Sequence, residues 1–153
     1  MIKIECSTGE YVTIDVASLR GANLDGYELH RAQLNGRTLD GVSFRGTNLR
    51  GANFNDSDLT EADLSSARLQ VATFENAVMK GANLRNTQLA GALFVATDLR
   101  NADLSGADIG HATFRGASLQ GANLQCRRIE EASFEGISYD DATSWPGGFI
   151  PPT

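Results

Sequence analysis

A large apolar side chain recurs at every fifth position of this chain, and few architectures tolerate that period. The series runs Leu19, Leu24, Leu29, Leu34, Leu39, Phe44 and Leu49, and continues in phase to Phe134 and Tyr139. All 25 of these centres are large and apolar or aromatic, so the series cannot be an accident of composition in a chain that is 41% hydrophobic. An α-helix repeats every 3.6 residues and a strand every two. On either, side chains five apart scatter over all faces. A short extended piece followed by a tight corner keeps every centre pointing inward.

The other positions of the unit fit this geometry. Two residues before the centre, Ala stands at 16 of the 25 positions, which makes it a second, small inward place. Two residues after, Gly stands at 12 of 25, where a corner needs unusual dihedrals. The remaining columns are mostly polar, and Asp58, Asp63, Asp98, Asp103 and Asp108 precede centres as ordinary members of the unit.

The number of corners per coil is written in the aromatic residues. Phe54, Phe74, Phe94, Phe114 and Phe134 are spaced by 20, with Leu34 first in their column and Ala32, Ala52, Ala72, Ala92, Ala112 and Ala132 beside them. Twenty residues therefore return the chain to the same side, which gives a square coil of four five-residue sides. Twenty-five units make about six coils, a rod about 30 Å long at the usual strand spacing. Each coil then contacts only its neighbours.

The unit, read as Ala-(Asn/Asp)-Leu-x-Gly, closely resembles the pentapeptide-repeat family from Ala17 to about Ala142. The resemblance implies an all-β fold, a right-handed quadrilateral β-helix; the handedness comes from the resemblance alone. The ending Tyr139-Asp140-Asp141-Ala142-Thr143-Ser144-Trp145-Pro146-Gly147-Gly148-Phe149 resembles one common among members from photosynthetic bacteria. Most of the family has no assigned activity. Members with a known role bind proteins: some protect DNA gyrase from quinolones by resembling DNA, others influence cell differentiation. Tyr27, Arg37 and Arg127 depart from the pattern, since they are too large for the small inward position. Val42 and Ile137 are milder departures, and Arg37 and Arg127 are expected to turn outward.

Three segments of one domain follow: an N-terminal β cap over residues 1–16, the repeat over 17–142, and a tail over 143–153. Ile2, Ile4 and Cys6, and again Val12, Ile14 and Val16, alternate with polar residues around the turn-like Ser7-Thr8-Gly9-Glu10. This reads as two strands covering the first coil. Trp145, Phe149 and Ile150 can cover the last coil, with Pro146, Pro151 and Pro152 blocking strand addition. The alternative is that this apolar tail mediates dimerisation.

Nothing in the sequence points to catalysis, a cofactor or a metal. His30 and His111 share a side but stand four coils apart, too far to share an ion. Cys6 and Cys126 lack a CxxC or a nearby His and lie near opposite ends, so they are expected to stay unbridged. Cys126 falls in an outward column, where it can be a reactive thiol. The net charge of −6 argues against direct nucleic-acid binding. No apolar run approaches the roughly 20 residues that cross a bilayer, and Met1 to Cys6 lacks a signal-peptide core. The expectation is a cytoplasmic, non-catalytic interaction module or scaffold for an unidentified protein, monomeric or weakly dimeric. Inhibition of a type II topoisomerase by DNA mimicry is the alternative, but the charges on the sides centred on Leu19 and Leu29 are mixed rather than a negative stripe.

One breach of the outward-polar rule marks a candidate surface. Val71 stands at a corner, Val78 and Leu93 precede their centres, and Val95 and Ala96 follow Phe94. Val71, Leu93, Val95 and Ala96 are expected to form one contiguous partner-binding patch, with Arg68 and Arg115 at its rim.

Overall fold

The computed structural model describes residues 1–6 and 9–153; of the turn expected over Ser7-Thr8-Gly9-Glu10, Ser7 and Thr8 lie outside the described residues. Two antiparallel strands, β1 (Ile2–Cys6) and β2 (Glu10–Ile14), pair from Ile2 with Ile14 to Cys6 with Glu10. Their inward side chains Ile4 and Ile14 join the main core, and Cys6 bridges to Ala32. The remainder is a coil of short bridged segments and corners, interrupted by one 3-10 turn over Ile129–Glu131.

The coil follows directly from the five-residue unit. Each residue before a centre forms a parallel bridge with the residue 20 further on, from Asn23 with Ser43 to Asp103 with Asn123. Every centre from Leu24 to Leu124 is fully buried. Every corner residue from Gly21 to Gly121 has a left-handed φ, between +53° and +72°. The corner closes with a hydrogen bond in which the residue three past a centre donates its N–H to that centre's carbonyl, as Ala22 does to Leu19 at 3.0 Å. The sides are named here by their first centres: first (Leu19), second (Leu24), third (Leu29) and fourth (Leu34).

On the fourth side the Phe rings stack at separations of 5.1, 4.8, 4.8 and 5.0 Å, near-parallel throughout. The Ala column beside them supplies the room. Where the small place holds a hydroxyl instead, the group finds a carbonyl. Thr47 and Thr97 donate across the coil to the carbonyls of Leu24 and Phe74, each at 2.7 Å. Ser57 and Thr87 donate to Phe54 and Leu84 within their own corners, at 2.6 and 2.7 Å. The hydroxyls thus carry no unpaired polar group into the core.

The oversized residues are handled in two ways. Tyr27 and Arg37 keep the ladder but are exposed, and their corner bonds stretch to 3.4 and 3.3 Å. Val42 fits inside and is fully buried. Arg127 is different. Its bridge partner is Asp108, 19 residues back, so the coil has dropped one residue. The corner after Leu124 is tightened, with Cys126 donating to the Leu124 carbonyl at 2.6 Å. Cys126 thereby takes the small inward place and Arg127 the outward one. A guanidinium cannot be left unpaired in an apolar core, and the coil shortens instead.

The lost residue is restored at the 3-10 turn, since Thr113 bridges Ser133 in the usual register. One more is added after Ser138, because Asn123 bridges Ser144. The phase therefore does not hold to the end. Tyr139 is 37% exposed rather than a buried centre, Thr143 fills the small inward place, and Trp145 stands over Leu124. Residues 143–145 continue the coil and are not a separate tail. Trp145 and Phe149 meet Phe134 at 5.5 and 5.8 Å and each other at 5.4 Å.

Candidate interaction surface on the fourth side

The repeating chemistry of the unit accounts for the aspartates that precede centres. Asp58, Asp63, Asp98, Asp103 and Asp108 each accept the backbone N–H two residues on, at 2.9 to 3.1 Å. They fix corners. The Arg100 guanidinium holds the Asp98 carboxyl below its ordinary range, and six further acidic groups face an arginine. Arg20 pairs with Asp40, Arg45 with Asp63, Arg68 with Glu28, Arg85 with Asp103, and Arg128 with Asp108 and Glu131.

Among the described residues no group of three His, Cys, Asp or Glu is placed to hold a metal ion. A cleft of about 340 Å³ lies between β2 and the first coil, lined by Cys6, Glu10, Tyr11, Val12, Glu28 and His30. A second, about 300 Å³, lies beside Cys126, Ile129 and Phe149. His30 and His111 stand apart as expected, and His111 faces Glu131 at 3.2 Å. Both cysteines are free. Cys126 is not an outward, reactive thiol: it packs on the core, and burial pushes it up to about 12. Burial and the nearby Glu10 push Cys6 up too.

Leu93 donates its N–H to the Ala72 carbonyl at 3.0 Å and bridges Thr73, so it lies on the coil next to Val71. A Cβ on Gly91 would sit 3.2 Å from Val71 Cγ1, which shows the Val71 side chain lying along that coil. Val71 is 59% exposed and Leu93 40%. Val95 is half-buried and Ala96 exposed at the next corner. Val78, 39% exposed, lies on the first side between Asp58 and Asp98 and outside this cluster. The other large apolar residues that are exposed, Met1, Tyr11, Tyr27, Tyr139 and Ile150, stand toward the two ends. Of the rim residues, Arg68 turns to Glu28, whereas Arg115 makes no ion pair among the described residues.

The structure adds a feature that the apolar pattern does not reveal. Val71 has φ +54°. A β-branched side chain in the left-handed region is strained, and strain of this kind costs on the order of 1–3 kcal/mol. The sequence signal was available, because Val71 occupies the glycine column.

With the geometry established, comparison with known proteins gives the family. The description "Pentapeptide repeat region" matches residues 47–124, about half the chain, and "Pentapeptide repeats (8 copies)" matches residues 28–65. The chain belongs to the pentapeptide-repeat family. It is similar to HetL, a pentapeptide repeat protein involved in heterocyst differentiation regulation from the cyanobacterium Nostoc sp. strain PCC 7120. The two are 35% identical with a TM-score of 0.64, over 69% of this chain and 46% of HetL. A second similar structure is AT2G44920, a pentapeptide repeat protein from the Arabidopsis thaliana thylakoid lumen, at 32% identity and TM-score 0.53, over 61% of each chain. A third is alr5209 from Nostoc PCC 7120, at 34% identity and TM-score 0.52, over 61% of this chain and 77% of that one. The chain thus spans less than half of HetL and under two thirds of AT2G44920. No curated protein matches it. The likeness to solved pentapeptide-repeat structures makes the coil a right-handed β-helix. Among the described residues no helix is long and apolar enough to cross a membrane.

Proposed function

We propose that this chain is a non-catalytic protein-interaction module of the cytoplasm. It is a rod of about six coils, covered at one end by the β1–β2 hairpin and at the other by Trp145 and Phe149, and it offers the patch of Val71, Leu93, Val95 and Ala96 to a protein partner. The observation that carries this reading is Val71. Gly, Asn or Asp serves that corner without strain, yet a β-branched residue stands there, 59% exposed and beside an exposed leucine. Strain and apolar exposure at one surface point are both costs to the free molecule, and a bound partner offsets them. The interleaved arginines oppose recognition through a DNA-like negative stripe.

The test replaces Leu93 and Val95 together with Asp. Both side chains are at the surface, so the far-ultraviolet spectrum and the unfolding midpoint stay close to the wild type. Capture of the partner that the wild-type protein retains is lost. Undiminished capture by the folded double variant overturns the assignment of this surface.

A further inference from the structure

The column that follows the Phe stack on the fourth side carries a symmetry of charge. Glu75, Val95 and Arg115 occupy successive coils of that column. Asn76 donates its N–H to the Val95 carbonyl at 3.0 Å, and Ala96 donates to the Arg115 carbonyl at 2.8 Å, which fixes the three residues one above another. Glu75 and Arg115 are exposed and make no ion pair among the described residues. An acid and a base thus flank an apolar residue, one coil to either side.

We propose that the occupant of the patch is a second copy of this chain, packed antiparallel on the fourth side about a two-fold axis that crosses the rod at Val95 and Leu93. This rests on the reading of the patch as an interaction surface and names its partner. An axis lying in the interface and perpendicular to the rod reverses the order of coils while keeping each column opposite itself. Val95 then meets Val95, and Leu93 meets Leu93. Glu75 of each copy meets Arg115 of the other, which gives two equivalent ion pairs per dimer. Thr73 faces Thr113 in the neighbouring column, and Asn55 faces Glu135 at the next step. An isologous interface demands this self-complementarity. A parallel arrangement, which keeps the coil order, leaves Glu75 and Arg115 without an opposite charge.

The face is narrow, roughly 10 Å across and about 30 Å long. It offers less than the ~800 Å² per partner of a standard stable interface, so the dimer is weak and forms only at high protein concentration.

Sedimentation velocity on the full chain tests this, at concentrations up to about 0.5 mM. The wild type dimerises with rising concentration. Glu75→Arg sets two arginines face to face at both ends of the contact and weakens dimerisation at least ~10-fold, and Arg115→Glu does the same with two acids. The double reversal, Glu75→Arg with Arg115→Glu, restores dimerisation to within about threefold of the wild type. A cysteine probe reads the axis independently. Val95→Cys crosslinks to its own image under mild oxidation, whereas Glu75→Cys, two coils from its image, lies beyond the ~7 Å reach of a disulfide. A wild type that stays monomeric overturns the proposal, and so does a dimer that ignores the charge reversals. In either case, if the wild type captures another protein and the Leu93 and Val95 double variant does not, the interaction surface stands and only its occupant is wrong.

Discussion

The rings of Phe74 and Phe94 lie 4.8 Å apart and within 2° of parallel. Phe54 and Phe114 extend the stack on either side, and all four are fully buried. Truncating a central ring removes its own buried area and one face of contact for each neighbour. In a solenoid the coils above and below are held by their own ladders and cannot collapse into the gap. Phe74→Ala is expected to cost about 3–5 kcal/mol, as buried Phe truncations do. Denaturant unfolding measures it, and a loss below about 1 kcal/mol would show that the stack does not bear on stability.

Val71→Gly is expected to stabilise the rod. It relieves the left-handed strain, at the cost of the extra chain entropy of glycine. The net gain is about 1 kcal/mol, read from the urea midpoint. The same substitution removes part of the patch, so partner binding weakens as stability rises. A destabilised Val71→Gly variant contradicts the strain argument.

Cys126 makes stability depend on alkaline pH. Its thiol rises from an ordinary 9.0 to about 12 in the folded chain, chiefly through burial, with Glu130 adding to it. Above pH 9 the unfolded chain releases this proton while the folded chain retains it, so the folded state binds more protons. Stability is then fully present below pH 9 and falls as pH rises from 9 toward 12. Cys126→Ala restores the commonest residue of that column and removes this contribution. The drop in unfolding midpoint between pH 8 and about pH 10 should be smaller in the variant. Alkylation of native Cys126 is expected to be on the order of 10³-fold slower than in the unfolded chain from ionisation alone. An equal pH response, or rapid native labelling, would place the thiol outside the core.

Gly110 is kept for space. It is buried, and a Cβ there would meet the guanidinium of Arg128, which reaches across it to Asp108 and Glu131. Gly110→Ala is expected to displace that side chain and lower the unfolding midpoint slightly, as the loss of exposed ion pairs does. On an Arg128→Ala background the same change should cost almost nothing. Equal costs on both backgrounds would mean that Gly110 serves the backbone instead.

The sequence by itself determined the five-residue unit, the four sides, the inward places and the Phe stack. All of these follow from which side chains can be buried at a fixed spacing, and Leu24 to Leu124 obey it without exception. It also placed Leu93 on the coil next to Val71, because a regular coil converts positions 20 apart into neighbours. Only the tertiary structure decided where the register moves. Arg127 remains in phase in the sequence, yet the ladder to Asp108 draws it outward and seats Cys126 in its place, since a thiol can be buried and a guanidinium cannot. Tyr139 likewise continues the written series, while Thr143 and Trp145 take the inward places of the last coil. A period records what each residue would do in an ideal coil. Hydrogen bonds to the coil beneath, and the desolvation of one charged side chain, settle what it does in this one.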